Sequence, residues 1–489
     1  MTAVELGGLA SQSGLVDGVA YELMPMRFHR FAGGRVLLTN LVGEHLFVAD
    51  HELMTILSGC AAGDLLRHLR GKHLVRLPGE TLPLELLALK ARTRQWRLAQ
   101  FTSLHLFVVT LRCDHACRYC QVSRQNSTAN AQHYDMSADT AEASLDLVFK
   151  SPASAIKIEF QGGEPLLNLE RIEHIAISAR RRNETAGKDL AFVVASNLAL
   201  VDDDVIELAR EHDLHFSTSI DGARTLHNRN RPRPGGDSWE RAMAGIDRIR
   251  TELGGDRVSA LMTTTDLTLA SASDVIDAYV GAGLYDIFLR PISPYGFARR
   301  ESSKARYDVE RWLAFYEEGL DRIIALNNQG VPVRERYASI VLTKILTNDD
   351  PGYVDLMSPA GIGIGALVYN YDGGVFASDE GRMLAETGDQ TFRLGEVGTD
   401  SYHDIIGSDA LLSPLEESFA ASAPMCSDCA FEPYCGADPV YHHATTGDFL
   451  GHKATSAFCQ RNMGIFELIL GRFTDDPVAR RVFQSWVQR

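Results

Sequence analysis

From Ser103 to about Leu326 apolar strand-like runs alternate with helical ones, and this alternation limits the fold more than any other feature of the chain. The predicted strands are Leu104–Leu111, Ile156–Phe160, Leu190–Ala195, His215–Ile220, Val258–Thr263 and Asp286–Leu289. Helices predicted over Ala138–Phe149, Leu169–Arg182, Asp203–Glu211, Trp239–Leu253 and Ala272–Ala282 lie between them, with Ser137 placed to cap the first. Repeated strand–helix units imply a parallel sheet with right-handed crossovers, an α/β fold. Six strands fall short of the eight that close a barrel, so the expected form is an open, partial (β/α)₆ barrel. Its site should lie at the carboxyl ends of the strands.

The flanks read differently. Residues 1–19 are small and polar, as in a loose tail. Strands are expected over Leu23–Phe31, Arg35–Leu41 and His45–Val48, with turns at Ala32-Gly33-Gly34 and Val42-Gly43-Glu44. Asp50 should cap a helix running to Leu57, a second helix should span Gly63–Leu69, and Leu84–Gln100 reads as a helical linker. The result is a small winged-helix-like module over residues 1–98, ahead of a barrel over 99–330 and a third region over 331–489. In that third region Asp372-Gly373 suggests a type I′ turn between strands Leu367–Tyr371 and Val375–Ala377, and little regular structure is expected around the last cysteines.

Lys plus Arg number 48 against 64 Asp plus Glu, a net charge of −16. So acidic a chain is a poor match to a phosphate backbone, and nucleic acid is not an expected partner. No apolar run reaches the length of a membrane span, and Met1–Leu9 lacks the basic and apolar regions of a signal peptide. The expected compartment is the cytoplasm, where eight cysteines are not read as disulfides.

Those cysteines carry the chemistry. Cys113, Cys117 and Cys120 form CxxxCxxC directly after the first barrel strand. Three thiolates on a loop can wrap three corners of a cubane and leave one iron open, whereas a four-iron cluster usually takes four cysteines. The other reading is a zinc knuckle, with His115 as a possible fourth ligand.

This stretch resembles the radical S-adenosylmethionine (SAM) enzymes, whose CxxxCxΦC signature has an aromatic Φ; Tyr119 stands there. The resemblance implies a [4Fe–4S] cluster whose open iron chelates SAM, a one-electron reductant of flavodoxin or ferredoxin type, and a 5′-deoxyadenosyl radical that takes a hydrogen from the substrate. Gly162-Gly163-Glu164-Pro165 follows the second strand and matches the segment that holds the SAM amino group in that family. Ser196-Asn197, Ser219 with Asp221, Arg231 and Arg290 recur at places of SAM contact. Each of these has a plain reading too, as a strand-to-helix turn or a surface ion pair.

Cys426, Cys429, Cys435 and Cys459 resemble the second half of a SPASM extension, which usually holds two auxiliary [4Fe–4S] clusters. The cysteines of the first cluster are replaced by Ser358 or Gly361, by Ser378 and by Pro439, so one auxiliary cluster is expected. A Cys₄ zinc site is the alternative. His442, His443 and His452 are expected at the surface and Cys60 in a small apolar core. Asp379 stands where sulfatase-maturating relatives carry a catalytic base; equally it could pair with Arg382. Gly361-Ile-Gly363-Ile-Gly365 is not a dinucleotide motif, because its third glycine comes one place early and a hairpin follows.

Leu-Met-Pro-Met-Arg-Phe at 23–28, Asp-Glu-Gly-Arg-Met-Leu at 379–384 and Pro-Tyr-Cys-Gly-Ala-Asp-Pro-Val at 433–440 resemble the radical SAM maturases of the His-Xaa-Ser peptide-modification system. That likeness implies a ribosomally made precursor peptide as substrate and a second radical SAM maturase as partner. Two other functions remain open: a radical SAM enzyme acting on a folded protein or small molecule, and a zinc-binding peptide carrier without activity.

Overall fold

The structure, a computed structural model, describes residues 19–296, 307–347 and 349–487. The expectations for the amino-terminal tail and for a signal peptide fall on residues 1–18, outside the described residues.

One eight-stranded sheet organises the chain. Its order is Val258–Leu261, Leu214–Ser219, Asp189–Ala195, Ala155–Gly162, Leu104–Thr110, Ala366–Tyr369, Gly374–Phe376 and Arg393–Glu396. The first five are the barrel strands and run parallel, with Phe107 opposite Phe160 and Ile158 opposite Phe192. Leu104–Thr110 is central and carries apolar residues on both faces, as a strand covered on both sides must. Helices Ala138–Val148, Leu169–Ala186, Asp203–His212, Ser238–Leu253 and Ala272–Gly281 cross between strands. Ser137 caps the first of them, its Oγ accepting from Thr140 N at 3.0 Å.

The sixth strand is only Asp286–Ile287, and its ladder partner is Arg334–Glu335 rather than the fifth strand. Arg334 forks onto the Asp286 carboxylate with two bonds of 2.6 Å, which fixes that pairing. The tie to the fifth strand comes later, where Thr264 N donates to Arg290 O at 2.8 Å.

The carboxyl-terminal hairpin joins the barrel sheet: Ala366–Tyr369 is buried throughout and runs parallel to Leu104–Thr110. Its turn is not the expected type I′. It spans four residues, Asn370 to Gly373, with Gly373 N donating to Asn370 O at 3.0 Å. Only Gly373 takes a positive φ, whereas type I′ needs two such residues. The Asp372 carboxylate instead accepts from Gly374 N at 3.0 Å and closes the corner.

The amino-terminal module has a three-stranded antiparallel sheet, Met26–Arg30, Arg35–Asn40 and His45–Ala49, and two helices, Asp50–Leu57 and Gly63–Gly71. Its own core gathers Val36, Leu38, Val48, Leu53, Ile56 and Leu69. The first expected strand is split at Pro25, which has no N–H for a ladder, and Glu22–Leu23 pairs with Val75–Arg76 instead. Asp50 is not the cap. Ala49 is, with Glu52 reaching back to its N–H at 2.7 Å, while Asp50 pairs with Arg30. Cys60 is exposed, not part of the core.

This module is seated on the segment that carries the later cysteines. Arg27 donates to Ser427 O at 2.6 Å and pairs with Glu432 at 2.7 Å, both side chains being almost fully buried. Tyr434 donates to Gly43 O at 2.6 Å, and His29 packs on Phe431. Removing one partner of a buried pair strands the other charge. Arg27→Ala should therefore cost about 3 kcal/mol and lower the unfolding temperature in a thermal melt; an unchanged melt would mean the module is not held by this contact.

Candidate functional site

The chain leaves the first barrel strand at Thr110 and makes a short parallel pairing, Arg112–Cys113 with Gln125–Asn126. Arg112 is gripped by Asp135, at 2.8 Å from Nε and 2.6 Å from Nη2, and this fixes where the cysteine loop begins. The loop then hangs on the segment after the fourth strand, with Ala116 N donating to Pro232 O at 2.7 Å and Arg118 N to Asn230 O at 3.0 Å. Cys113 is buried and Cys117 and Cys120 half-buried. Burial, with the Glu164 charge and Cys117 adding, pushes the Cys113 thiol up. Burial likewise pushes Cys117 up to about 11, the Arg231 guanidinium opposing it and Cys120 adding to it. Thiols so placed ionise only with a positive partner, and a metal cluster is one. His115 is not free to be a fourth ligand: its Nδ1 meets Asp114 at 2.8 Å and its Nε2 meets Ser238 Oγ at 2.9 Å. Among the described residues no group of three or more His, Cys, Asp or Glu side chains is arranged to hold a metal ion. Three thiols without a fourth donor fit a cubane with one open corner.

The two glycines after the second strand serve this loop. A Cβ on Gly162 would stand 1.9 Å from Thr110 O, and one on Gly163 would stand 2.3 Å from Arg112 O. Gly163 N and Glu164 N donate to those same carbonyls at 2.8 Å each. The close approach that glycine permits is thus to the start of the cysteine loop. Glu164 is fully buried behind it. Its Oε1 accepts from Ser196 Oγ at 2.7 Å and from Leu166 N at 3.1 Å, and its Oε2 accepts from Asn197 N at 2.8 Å. Burial outweighs these bonds and pushes its carboxyl up to about 7. A carboxylate in that condition gains from a neighbouring ammonium. Asn197 also donates to Asp114 at 2.8 Å, which couples the third strand to the cysteine loop.

Tyr119, Asp221 and Arg231 form a second group. The Tyr119 hydroxyl donates to Asp221 Oδ2 at 2.7 Å and accepts from Arg231 Nη1 at 2.6 Å, with the guanidinium over the ring. Asp221 is fully buried, and burial raises its pKa against the pull of Arg231. Ser219 ends the fourth strand just before it. Arg290 stands elsewhere, beside Tyr353, Asp355, Glu380 and Asp379. Asp379 opens the helix Asp379–Ala385 and pairs with the buried Arg382 at 2.9 Å. It also adds to the negative field at Glu159, whose carboxyl burial pushes up to about 7.

The later cysteines converge from two segments. Cys426, Cys429 and Cys435 lie in turns, with only the short Glu432–Tyr434 turn of 3₁₀ helix between them. Cys459, against the expectation of little regular structure, sits in the first turn of the 19-residue helix Ala457–Asp475, capped by Ser456. Cys426 and Cys429 each feel the charge of Cys435 and Cys459, and burial pushes them up to about 11 and about 12. Asn462 donates to Cys435 Sγ at 3.5 Å, a bond that suits a thiolate. The places without cysteine do local work instead. Ser358 Oγ accepts from Ala420 N, Ser378 Oγ caps the helix after the hairpin, and Pro439 starts the helix Pro439–Thr446. A Cβ on Gly361 would meet Val354.

Of the three histidines expected at the surface, only His452 is exposed. His443 is half-buried against Asp389 at 2.8 Å. His442 is buried under Phe458 with its Nε2 3.1 Å from Lys453 Nζ, and burial pushes its pKa down to about 4. Its burial follows from Gly451, whose missing Cβ leaves the room the ring fills.

Residues 107–276 match the family model described as the radical SAM superfamily. Those residues form a radical SAM domain. The chain is 32% identical over 119 residues to an uncharacterised protein of Methanocaldococcus jannaschii, and 26% identical over 121 residues to the cysteine-type anaerobic sulfatase-maturating enzyme of Clostridium perfringens. Each match takes in 24% of this chain, and 38% and 32% of those relatives, so the chain spans well under half of either. The native anSMEcpe structure with bound AdoMet superposes with a TM-score of 0.64 at 19% identity, covering 78% of this chain and all of that one. Streptococcus suis SuiB bound to precursor peptide SuiA superposes with a TM-score of 0.53 at 12% identity, covering 90% of this chain and all of that one. The radical SAM domain thus holds the first cysteine loop, Glu164 and Asp221 within its matched residues. No helix among the described residues is long and apolar enough to cross a membrane.

Some residues of the site have no signature that singles them out. Asp114, which binds His115 and Asn197, lies inside the cysteine loop and could have been noticed there. Glu380, Asp355 and Asp438 come from three distant segments, and only the fold brings them near one another.

Proposed function

We propose that this chain is a radical SAM maturase that modifies a ribosomally made precursor peptide, within the His-Xaa-Ser system. The observation that carries the reading is the cysteine loop hung at the end of the first strand, with the buried Glu164 hub directly behind it. In this reading Cys113, Cys117 and Cys120 hold a [4Fe–4S] cluster with SAM on its open iron, and Cys426, Cys429, Cys435 and Cys459 hold one auxiliary [4Fe–4S] cluster. With reductant of flavodoxin or ferredoxin type, the loaded site supplies a 5′-deoxyadenosyl radical for hydrogen abstraction. Glu164, backed by Ser196 and Asn197, receives the SAM amino group, and the Gly162-Gly163 backbone sets its distance from the cysteine loop. Tyr119, Asp221 and Arg231 brace the far side. Arg290 lies in range of both Asp379 and the cavity described below.

Residues 1–98 act as the recognition module, 99–330 as the barrel and 331–489 as the auxiliary-cluster region. The strands Met26–Arg30 and His45–Ala49 are the outer strands of their sheet, and an extended leader peptide can add to such an edge. The overlap with SuiB, reaching 90% of the chain, supports a peptide over a small molecule. Co-expression with neighbouring small open reading frames, followed by mass spectrometry, tests this. A precursor lighter by two hydrogens per modified site is expected, and none when its leader is removed; an unmodified full-length precursor would refute it.

Asp379 is the group placed to take a proton after hydrogen abstraction, oriented by Arg382. Asp379→Asn should leave SAM cleavage intact and slow precursor modification about 100-fold. Wild-type modification by this variant would make the carboxylate only an anchor for Arg382.

A further inference from the structure

Beside the carboxyl ends of the fifth and sixth strands lies a pocket that opens to solvent. The loop after the sixth strand forms one side, and the helix Val309–Asn328 and the carboxyl-terminal region form the others. Its walls are aromatic, with Trp312, Tyr337, Tyr353 and Phe458 among them. Three carboxylates reach it from separate segments. Asp355 comes from the turn Val354–Leu356, Glu380 from the first turn of Asp379–Ala385, and Asp438 from the cap of Pro439–Thr446. Arg290 and Arg461 line it too, Arg290 in electrostatic range of Asp355 and Glu380, and Arg461 in range of Asp438. Lys453 lies near Asp438, and Asp379 lies near Glu380.

Two buried donors there are unspent. The Tyr295 hydroxyl has no hydrogen-bond partner among the described residues, although Asp438, Glu380 and Asp355 are its electrostatic neighbours. The Trp312 indole N–H is likewise unpaired. Both side chains are 2% exposed. Buried polar groups are seldom left so; the Tyr295 hydroxyl can accept from a ligand N–H as well as donate, and the indole N–H can meet a ligand carbonyl.

We propose that this cavity is a subsite for a positively charged side chain of the substrate peptide. The proposal rests on the peptide-maturase reading above and narrows it to substrates with a lysine- or arginine-like residue near the reacting one. A cation there meets the three carboxylates, aromatic faces that favour it, and the Tyr295 oxygen. Burial first, and then repulsion from neighbouring acids, pushes Glu380 up to about 7 and Asp438 up to about 6, so a cation placed beside them favours their charged form.

The test is calorimetry on the full-length, cluster-reconstituted protein with three probes: the N-acetyl methylamides of lysine, arginine and norleucine. The lysine or arginine probe should bind at least about ten-fold more tightly than norleucine, and Glu380→Gln should remove about that preference. Asp355→Asn provides a second variant should the first fail to fold. Equal binding of norleucine, no binding of any probe, or full cation binding by both folded variants would overturn the subsite. 5′-Deoxyadenosine formation is measured on the same sample. Its absence beside intact cation preference would defeat the maturase reading alone; its presence without that preference would defeat the subsite alone.

Discussion

Replacing Cys113, Cys117 and Cys120 together with alanine should abolish SAM cleavage and lower iron from about eight to about four atoms per chain, counting four per cubane. The three thiols stand on one loop, and the fourth residue able to ligate nearby, His115, is held by Asp114 and Ser238. Asp114, the other group in the loop able to ligate, is held by His115 and Asn197. The auxiliary set is carried by different segments, so its iron should remain. The loop's anchors, Arg112 to Asp135 and Ala116 N to Pro232 O, do not involve sulfur, so the variant should still fold. Iron analysis with quantified 5′-deoxyadenosine checks both halves; cleavage at the wild-type rate would refute the assignment.

Cys459→Ala should strip the auxiliary iron and lower the unfolding temperature while SAM cleavage without peptide persists. Cys426, Cys429 and Cys435 supply only three thiols, and Cys459 stands in electrostatic range of Cys435 at the start of its helix. That helix reaches the amino-terminal module through Glu467 to His29, and Asp475 at its end pairs with Arg35. Metal binding that closes such a site is folding energy for the elements around it. Loss of the ligand should therefore loosen both the helix and the seat of the module. Full iron with an unchanged melt would show that Cys459 is not a ligand.

Much of this was legible in the sequence because it rests on local pattern. Alternating apolar runs placed the five long barrel strands, and CxxxCxxC after the first of them placed the loop. Other features depend on contacts that sequence does not carry. The hairpin Ala366–Tyr369 and Gly374–Phe376 was visible, but its parallel seat on Leu104–Thr110 was not, since a buried strand can pair on either edge. The turn type was misread because Asp372-Gly373 fits two geometries, and the Asp372 side chain decides between them. His442 was expected at the surface because four thiols already supply a full ligand set; the missing Cβ at Gly451 makes room for its ring inside. The acidic cavity was invisible because its carboxylates are scattered from Asp355 to Asp438.

A radical made at the barrel mouth should take a hydrogen from a peptide. It is tested most directly by incubating the anaerobically reconstituted protein with SAM, reductant and a deuterated precursor peptide, and weighing the 5′-deoxyadenosine formed. 5′-Deoxyadenosine that carries deuterium from the peptide is expected, in step with its modification. Only unlabelled 5′-deoxyadenosine beside an unmodified peptide, or none at all from protein with both clusters in place, would contradict it.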